Sequence, residues 1–145
     1  MTTKQAQLQD LDDLAPLFDS YRVFYKQDSS IEAVKQFLKE RLKHKDSIIF
    51  IAYINDKPVG FTQLYPLFSS VSMTPIYMLN DLYVDKNHRS QGVGETLINC
   101  AKQLCKEEKN KGLAIQTAFN NPAQHLYERL GFVKDTDLQF FWTTN

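Results

Sequence analysis

The sequence has few cysteines, few histidines and no pattern that joins them. It contains two cysteines, Cys100 and Cys105, five residues apart in one predicted helix. This spacing puts the two side chains on different parts of the helix surface, so a disulfide between them is not expected. The three histidines are scattered, and we predict no metal site. Both cysteines are interpreted as small, buried apolar residues.

The charge and hydropathy of the chain argue against two classes of partner. Lys plus Arg and Asp plus Glu each number 17, giving a formal net charge of zero, whereas a nucleic-acid-binding domain usually has a basic excess. No apolar run approaches the length needed to cross a bilayer, and Met1 to Gln5 contain no apolar signal region. We therefore expect a cytoplasmic protein that binds neither nucleic acid nor membrane, with residues 1–145 in one domain.

The hydrophobic pattern predicts strands and helices along the whole chain. The predicted elements are an edge strand over 2–7, a helix over 8–25 interrupted at Pro16, a helix over 30–43, strands over 47–54, 59–68 and 74–84, a helix over 93–109, a buried strand over 113–119, a helix over 122–130 and a final strand over 138–142. This order predicts an α/β (α+β) fold in which helices cover both faces of a mixed sheet.

A glycine-containing loop, Arg89 to Gly94, lies where a predicted strand gives way to a helix. Backbone N–H groups at a helix start lack internal partners and lie at the positive end of the helix dipole. Gly92 and Gly94 would let a phosphate approach that backbone. The loop lacks the Gly-Lys-Ser/Thr of a Walker A motif, and Leu97 replaces the third glycine of a dinucleotide fingerprint. By itself, it fits an anion site and an ordinary turn equally well.

Two motifs taken together resemble the signatures of the GNAT superfamily of N-acetyltransferases. The first is Arg-x-x-Gly-x-Gly at Arg89 to Gly94, after a strand ending Leu82-Tyr83-Val84-Asp85. The second is Asn120-Asn121-Pro122-Ala123, followed by Leu126-Tyr127-Glu128-Arg129-Leu130-Gly131-Phe132. The strand from Leu79 to Val84 is also similar to that of diamine acetyltransferases and related histone- or polyamine-type members. The resemblance implies a mixed, mainly antiparallel central sheet flanked by helices on both faces.

The resemblance also implies acetyl-CoA as cosubstrate, with no metal. The residues whose backbone amides would bind its pyrophosphate are Arg89, Ser90, Gln91, Gly92, Val93 and Gly94. The backbone of Leu82, Tyr83 and Val84 would pair with the pantetheine arm. Further cofactor-binding candidates are Asn120, Ala123 and Tyr127. Asn120 matches the asparagine that hydrogen-bonds this arm, and its alternative role is that of a simple turn residue.

The resemblance assigns an acid more clearly than a base. Tyr127 matches the tyrosine proposed to protonate the leaving thiolate, and it can also pack in the core while its hydroxyl reaches the sulfur. In the diamine acetyltransferases the candidate base is a Glu at the position of Asn80, and a neutral Asn cannot take the proton. Asp81 is the next candidate, although strand alternation puts it on the opposite sheet face from Asn80. Proton removal through water is equally open.

The implied activity is direct transfer of acetyl from acetyl-CoA to a primary amine in a ternary complex. The acceptor would be a small-molecule amine or a lysine-bearing peptide, with Tyr21, Tyr25 and Glu32 as candidate acceptor-site residues. The alternative is a non-catalytic acyl-CoA-binding or regulatory module, which Asn80 favours. The aromatic residues Phe140 to Trp142 are expected either in the core or in the contact of a homodimer.

Overall fold

The chain forms one five-stranded sheet with helices on both faces. A computed structural model describes residues 1–144. Its elements are β1 (Thr2–Gln5), α1 (Leu11–Phe24), α2 (Ile31–His44), β2 (Ile48–Ile54), β3 (Lys57–Ser69), β4 (Thr74–Val84), α3 (Val93–Glu107), β5 (Leu113–Ile115) and α4 (Gln124–Arg129). The strands lie in chain order, antiparallel except for the parallel β4–β5 pair. The predicted mixed, mainly antiparallel sheet is confirmed.

The helices bury their apolar faces on opposite sides of this sheet. Leu14 of α1 and Leu38 of α2 pack in one cluster with Phe61 of β3. Ile98 and Ala101 of α3 pack on the other side in a second cluster. Each large aliphatic side chain buried in this way contributes roughly 1.5–3 kcal/mol. Two helical layers therefore hold the sheet between them.

Helix α1 runs through Pro16, contrary to the predicted interruption there. Proline lacks the N–H that would bond to the carbonyl of Asp12, but only one bond of the helix is lost. The separate turn lies earlier, as a 3-10 helix at Leu8–Asp10. Asp10 secures it, because its carboxylate accepts from the Gln7 backbone N–H at 2.8 Å and from Lys4 Nζ at 2.7 Å.

Two strand predictions near the C-terminus are wrong. The predicted buried strand over 113–119 is only three residues long, Leu113–Ile115, and it is half-buried. No strand forms over the predicted 138–142, and Phe140, Phe141 and Trp142 are each more than four-fifths exposed. Strand propensity alone does not supply a hydrogen-bonding neighbour, and these residues have none in the described chain. A smaller error concerns Cys100, which is half-buried, whereas Cys105 is buried as predicted.

Candidate active site

The loop before α3 presents a series of backbone N–H groups that no carbonyl of the described residues accepts. None of the N–H groups from Arg89 to Glu95 has a backbone acceptor, and the first such bond runs from Thr96 to the Gly92 carbonyl at 3.0 Å. Ser90 and Gly92 have left-handed backbones, with φ of 60° and 82°. Left-handed residues in a turn arrange successive N–H groups into a concave anion-binding surface. We call residues 89–95 the cradle.

Gly60 of β3 allows the cradle to sit directly on the sheet. A Cβ at this position would lie 2.8 Å from the carbonyl oxygen of Tyr83 and 3.0 Å from Cγ1 of Val93. Any larger residue would push the start of α3 away from the end of β4. The absence of a side chain at Gly60 therefore brings the helix N-terminus next to Tyr83.

Strands β4 and β5 separate beside the cradle. They pair only at Tyr77–Leu79 with Leu113–Ile115. Beyond that point, Leu82–Val84 pair with β3 on one side and with no described strand on the other. The free backbone edge of β4 lies next to the cradle, since Arg89 Nε donates to the Val84 carbonyl oxygen at 3.0 Å. We call the space along this free edge the opening. This is where the sequence predicted the pantetheine arm and the pyrophosphate to bind.

Helix α4 is attached to the first turn of α3 next to this opening. A Cβ at Gly94 would lie 3.7 Å from Cδ2 of Leu126, and Arg129 Nη2 lies 2.9 Å from Glu95 Oε2. Tyr127 between them is half-buried, with its ring 6.2 Å from that of Phe132. The ring packs against the second hydrophobic cluster.

The Tyr127 phenol is held protonated over the physiological range. Burial raises its pKa above the ordinary value, and the charge of Tyr25 adds to the effect. A phenol with a raised pKa is a hydrogen-bond donor at neutral pH. Its position and protonation state are compatible with donation to a leaving group in the opening.

The Asp81 side chain lies on the sheet face that packs against α1. The prediction that Asn80 and Asp81 point to opposite faces of the sheet is wrong, because their side chains are in contact. The β3–β4 register pairs Leu64 with Leu79 and Gln63 with Asp81, which leaves Asn80 as an extra residue in a β-bulge. A bulge breaks the period-two alternation from which the separation was inferred. As a result, Asn80 Nδ2 donates to Asp81 Oδ1 at 3.1 Å.

Asp81 is the end of a buried chain of polar side chains. Gln63 Nε2 donates to Asp81 Oδ2 at 2.8 Å, and Ser47 Oγ donates to Gln63 Oε1 at 2.9 Å. Asp81 is 6% exposed and Gln63 is fully buried. Neither Gln63 nor Ser47 was identified from the sequence, because a polar residue in a strand usually faces solvent and nothing in the local pattern marks these two as buried.

Tyr21 of α1 and Tyr25, which directly follows this helix, lie close to Asp81 and Tyr127. Burial raises the pKa of Tyr21, and the carboxylate of Asp81 is the next cause, followed by Tyr25 and Tyr127. The ring centroids of Tyr21 and Tyr25 are 5.1 Å apart. Burial and the charge of Asp81 also raise the pKa of Tyr65, to about 12. Four predicted residues, Tyr21, Tyr25, Asp81 and Tyr127, thus converge on the opening.

The side chains of three other predicted residues, Glu32, Asn120 and Arg89, make no contact in the described part of the chain that assigns them a binding role. Glu32 is exposed in the first turn of α2, and no ion pair involves it among residues 1–144. Asn120 is exposed, whereas Asn121 shapes the turn before α4, because its Oδ1 accepts from the Ala123 N–H at 2.9 Å. The Arg89 side chain turns towards β4, with Nε 3.0 Å from the Val84 carbonyl oxygen. Only its backbone belongs to the cradle.

The profile of the Acetyltransferase (GNAT) family matches residues 11–132, which include the cradle, the β4 edge and α4. The chain belongs to the GNAT family. One relative, the uncharacterized N-acetyltransferase YhfO of Bacillus subtilis, is 45% identical over 137 residues, covering 94% of this chain and 92% of that protein. A probable acetyltransferase of Haemophilus influenzae is 30% identical over 79% of this chain and 88% of its own length. The chain is an N-acetyltransferase.

Solved acetyltransferase structures share the fold. The crystal structure of a probable acetyltransferase superposes with a TM-score of 0.92 at 39% identity, covering 100% of this chain and 98% of that one. An aminoglycoside N-acetyltransferase solved in complex with CoA has a TM-score of 0.82 at 19% identity, covering 98% and 93% of the two chains. At that identity the second likeness concerns the fold alone.

Residues 1–144 have neither the side-chain clusters of a metal site nor a membrane-spanning helix. They contain no group of three or more His, Cys, Asp or Glu side chains arranged to hold a metal ion. They also contain no helix with both the length and the apolar composition needed to cross a bilayer.

Proposed function

We propose that this GNAT enzyme transfers acetyl directly from acetyl-CoA to a primary amine in a ternary complex. The observation that supports this most strongly is the cradle of free N–H groups beside the unpaired edge of β4. A pyrophosphate carries negative charge and several acceptor oxygens, which suit a helix N-terminus. The pantetheine amides can add hydrogen bonds to the backbone of Leu82–Val84, as an extra strand would.

Direct transfer requires that the enzyme hold the two reactants side by side, and it involves no covalent intermediate with the enzyme. Binding the thioester in the opening would place its carbonyl near the backbone N–H groups of Tyr83 or Val84, where developing negative charge can be stabilised. The amine would enter from the side of Tyr21 and Tyr25. Holding both reactants in one site removes most of the entropic cost of their encounter. Tyr127 would then donate to the departing thiolate.

The acceptor amine must lose a proton, and Asp81 is the group we assign to remove it. An alkylammonium has a pKa near 10.4, so only about one molecule in a thousand is neutral at pH 7. Asp81 is a carboxylate at the bulge, two residues from Tyr83, and Asn80 contributes a hydrogen bond to it. The acceptor class remains a small-molecule amine or a lysine-bearing peptide.

Acceptor-dependent release of free thiol from acetyl-CoA tests this proposal. We expect release with at least one member of a panel of polyamines, aminoglycosides, amino acids and lysine peptides. Gly92→Val should raise the KM for acetyl-CoA at least tenfold, because its Cβ would project where the pyrophosphate approaches. Thiol release is read with a disulfide reagent, and acetylation of the acceptor is checked by mass spectrometry.

Gly131→Val is the matched control for the cradle variant. Gly131 also has a positive φ, 93°, and a Cβ there would likewise meet nothing within 4 Å. Both variants put a β-branched residue at a positive φ, but Gly131 follows α4 and lies outside the cradle. Equal KM values for the two variants would contradict pyrophosphate binding at the cradle. Tight CoA binding without acceptor-dependent release would favour the non-catalytic module.

We also propose that the chain forms a homodimer through its C-terminal residues 138–142. Leu138, Phe140, Phe141 and Trp142 are 81–88% exposed in a single chain. The edge of β5 away from β4 has no strand neighbour within residues 1–144. A contiguous apolar segment and an open sheet edge are both unfavourable in water. A second copy satisfies both by pairing the segment with that edge.

Replacing Phe140 and Phe141 together by Asp should convert the dimer into a monomer. Each aromatic ring buried in the contact would contribute roughly 1.5–3 kcal/mol, so two charges there should cost several orders of magnitude in dimer affinity. Sedimentation equilibrium measures the result. Phe68→Asp is the control, because Phe68 is 82% exposed at the tip of the β3–β4 hairpin. A monomeric native chain would contradict the proposal.

A further inference from the structure

The buried chain from Ser47 through Gln63 to Asp81 spans three adjacent parts of the sheet. Ser47 immediately precedes β2, Gln63 is in β3 and Asp81 is in β4. The exposed fractions of their side chains are 6%, 0% and 6%. A carboxylate so far from water is costly to keep unless its hydrogen bonds are supplied by the protein.

The partners of Asp81 supply hydrogen bonds but no opposite charge. Gln63 Nε2 donates to one oxygen at 2.8 Å and Asn80 Nδ2 donates to the other at 3.1 Å. No Lys, Arg or His of residues 1–144 forms an ion pair with Asp81. A carboxylate needed only for stability could be replaced by an apolar residue, often with a gain in stability. A buried carboxylate without a charged partner in the described chain, placed beside the opening, therefore points to a chemical use.

The orientation of the Gln63 amide is determined by its two neighbours. A carboxylate only accepts hydrogen bonds, so the NH₂ end of Gln63 must face Asp81. The Ser47 hydroxyl donates to the oxygen at the other end. With the NH₂ end so directed, Gln63 fixes one oxygen of Asp81. The two carboxylate oxygens have about four acceptor sites between them. Gln63 and Asn80 occupy two, and the Tyr21 hydroxyl lies close enough to take a third. At least one site is left for an incoming amine or water.

We propose that Gln63, held by Ser47, is a positioning residue that fixes the Asp81 carboxylate for proton removal from the acceptor amine. The inference rests on the proposed function of Asp81. In the step concerned, the ammonium N–H bond breaks and its proton passes to Asp81. The nitrogen keeps the electron pair and forms the bond to the thioester carbon, and the carbon–sulfur bond breaks. A second N–H proton leaves the nitrogen as the amide forms, and it ends on the departing sulfur to give the free thiol. Gln63 takes no proton and touches no reacting atom.

A change at Gln63 should therefore affect turnover rather than cofactor binding. Gln63→Leu keeps the approximate volume but leaves the carboxylate without its donor. We expect kcat to fall about tenfold or more, with the KM for acetyl-CoA within twofold of the native value. In an Asp81→Asn background the same change should have little further effect on kcat, because there is no longer a base to position. Ser47→Ala should lower kcat by a smaller factor in the same direction.

Thr62→Val is the matched control. Thr62 is also fully buried and adjacent in β3, but its Oγ1 donates at 2.8 Å to the backbone carbonyl of Asp81 and not to the carboxylate. We expect a similar loss of Tm and a kcat within about twofold of native. If Gln63→Leu does not fold, Ser47→Ala tests the inference in its place. A native kcat in Ser47→Ala would then overturn the inference.

The possible outcomes separate the two proposals. In one outcome Asp81→Asn lowers kcat, but Gln63→Leu lowers it no more than Thr62→Val does. This result would overturn the positioning role of Gln63 and leave Asp81 as the base. An Asp81→Asn enzyme with native kcat would instead remove Asp81 from the mechanism. Additive losses of kcat in the double variant would mean that Gln63 acts independently of Asp81, which also contradicts the inference.

Discussion

Tyr127→Phe should lower kcat about 100-fold and leave the KM for acetyl-CoA nearly unchanged. The substitution removes only the hydroxyl, so the ring can still pack against Phe132. Removing one hydrogen-bond donor to negative charge that develops in the transition state typically costs 10²–10³-fold in kcat. An interaction made only with the departing thiolate should affect turnover and not ground-state binding. Steady-state kinetics with acetyl-CoA varied at saturating acceptor measures both parameters.

The pKa of Tyr127 restricts how the hydroxyl can act. An alkyl thiol has a pKa near 8.5 and an ordinary tyrosine one near 10, so complete proton transfer from phenol to thiolate is uphill by about 2 kcal/mol. Burial raises the pKa of Tyr127 further. The phenol therefore stabilises the thiolate chiefly by donating a hydrogen bond. Because its folded pKa is raised, it stays protonated as pH rises, and native activity should show no loss from Tyr127 ionisation below about pH 10.

Tyr53→Phe provides the control for the loss of a hydroxyl. Tyr53 of β2 donates to Asp13 Oδ2 at 2.9 Å, in the part of the sheet that faces away from the opening towards β1. We expect native kcat in this variant. Unchanged turnover in Tyr127→Phe would remove Tyr127 from the mechanism, whereas a large rise in KM with native kcat would make it a binding residue only.

The cradle could be predicted from the sequence because its physics is local. A strand, a short loop with Gly92 and Gly94, and an amphipathic helix are sufficient to place free N–H groups at one point. The second motif, Asn120 to Phe132, was recognised by its resemblance to the family signature and not from local physics. The resulting prediction of an N-acetyltransferase is confirmed by the family match.

The surroundings of Asp81 could not be predicted, because they depend on pairing between distant strands. One extra residue at Asn80 changes which sheet face every later residue of β4 occupies, and alternation in a single strand does not reveal it. Gln63 reaches Asp81 only through the β3–β4 register. The predicted strand over 138–142 fails for a related reason, since its residues favour strand geometry but find no partner in their own chain.

Asp81→Asn should lower kcat about 100-fold at pH 7, and the deficit should shrink at higher pH. The variant keeps the shape of the side chain but cannot accept a proton, so it must use acceptor that is already neutral. That fraction rises about tenfold per pH unit between pH 7 and 10 for an alkylamine. The ratio of native to variant kcat/KM for the acceptor, measured over this range, should therefore fall steadily. Asp10→Asn is the control, because Asp10 is equally buried but pairs with Lys4 beside β1. A deficit that stays constant with pH would mean that Asp81 binds or orders the site without removing the proton.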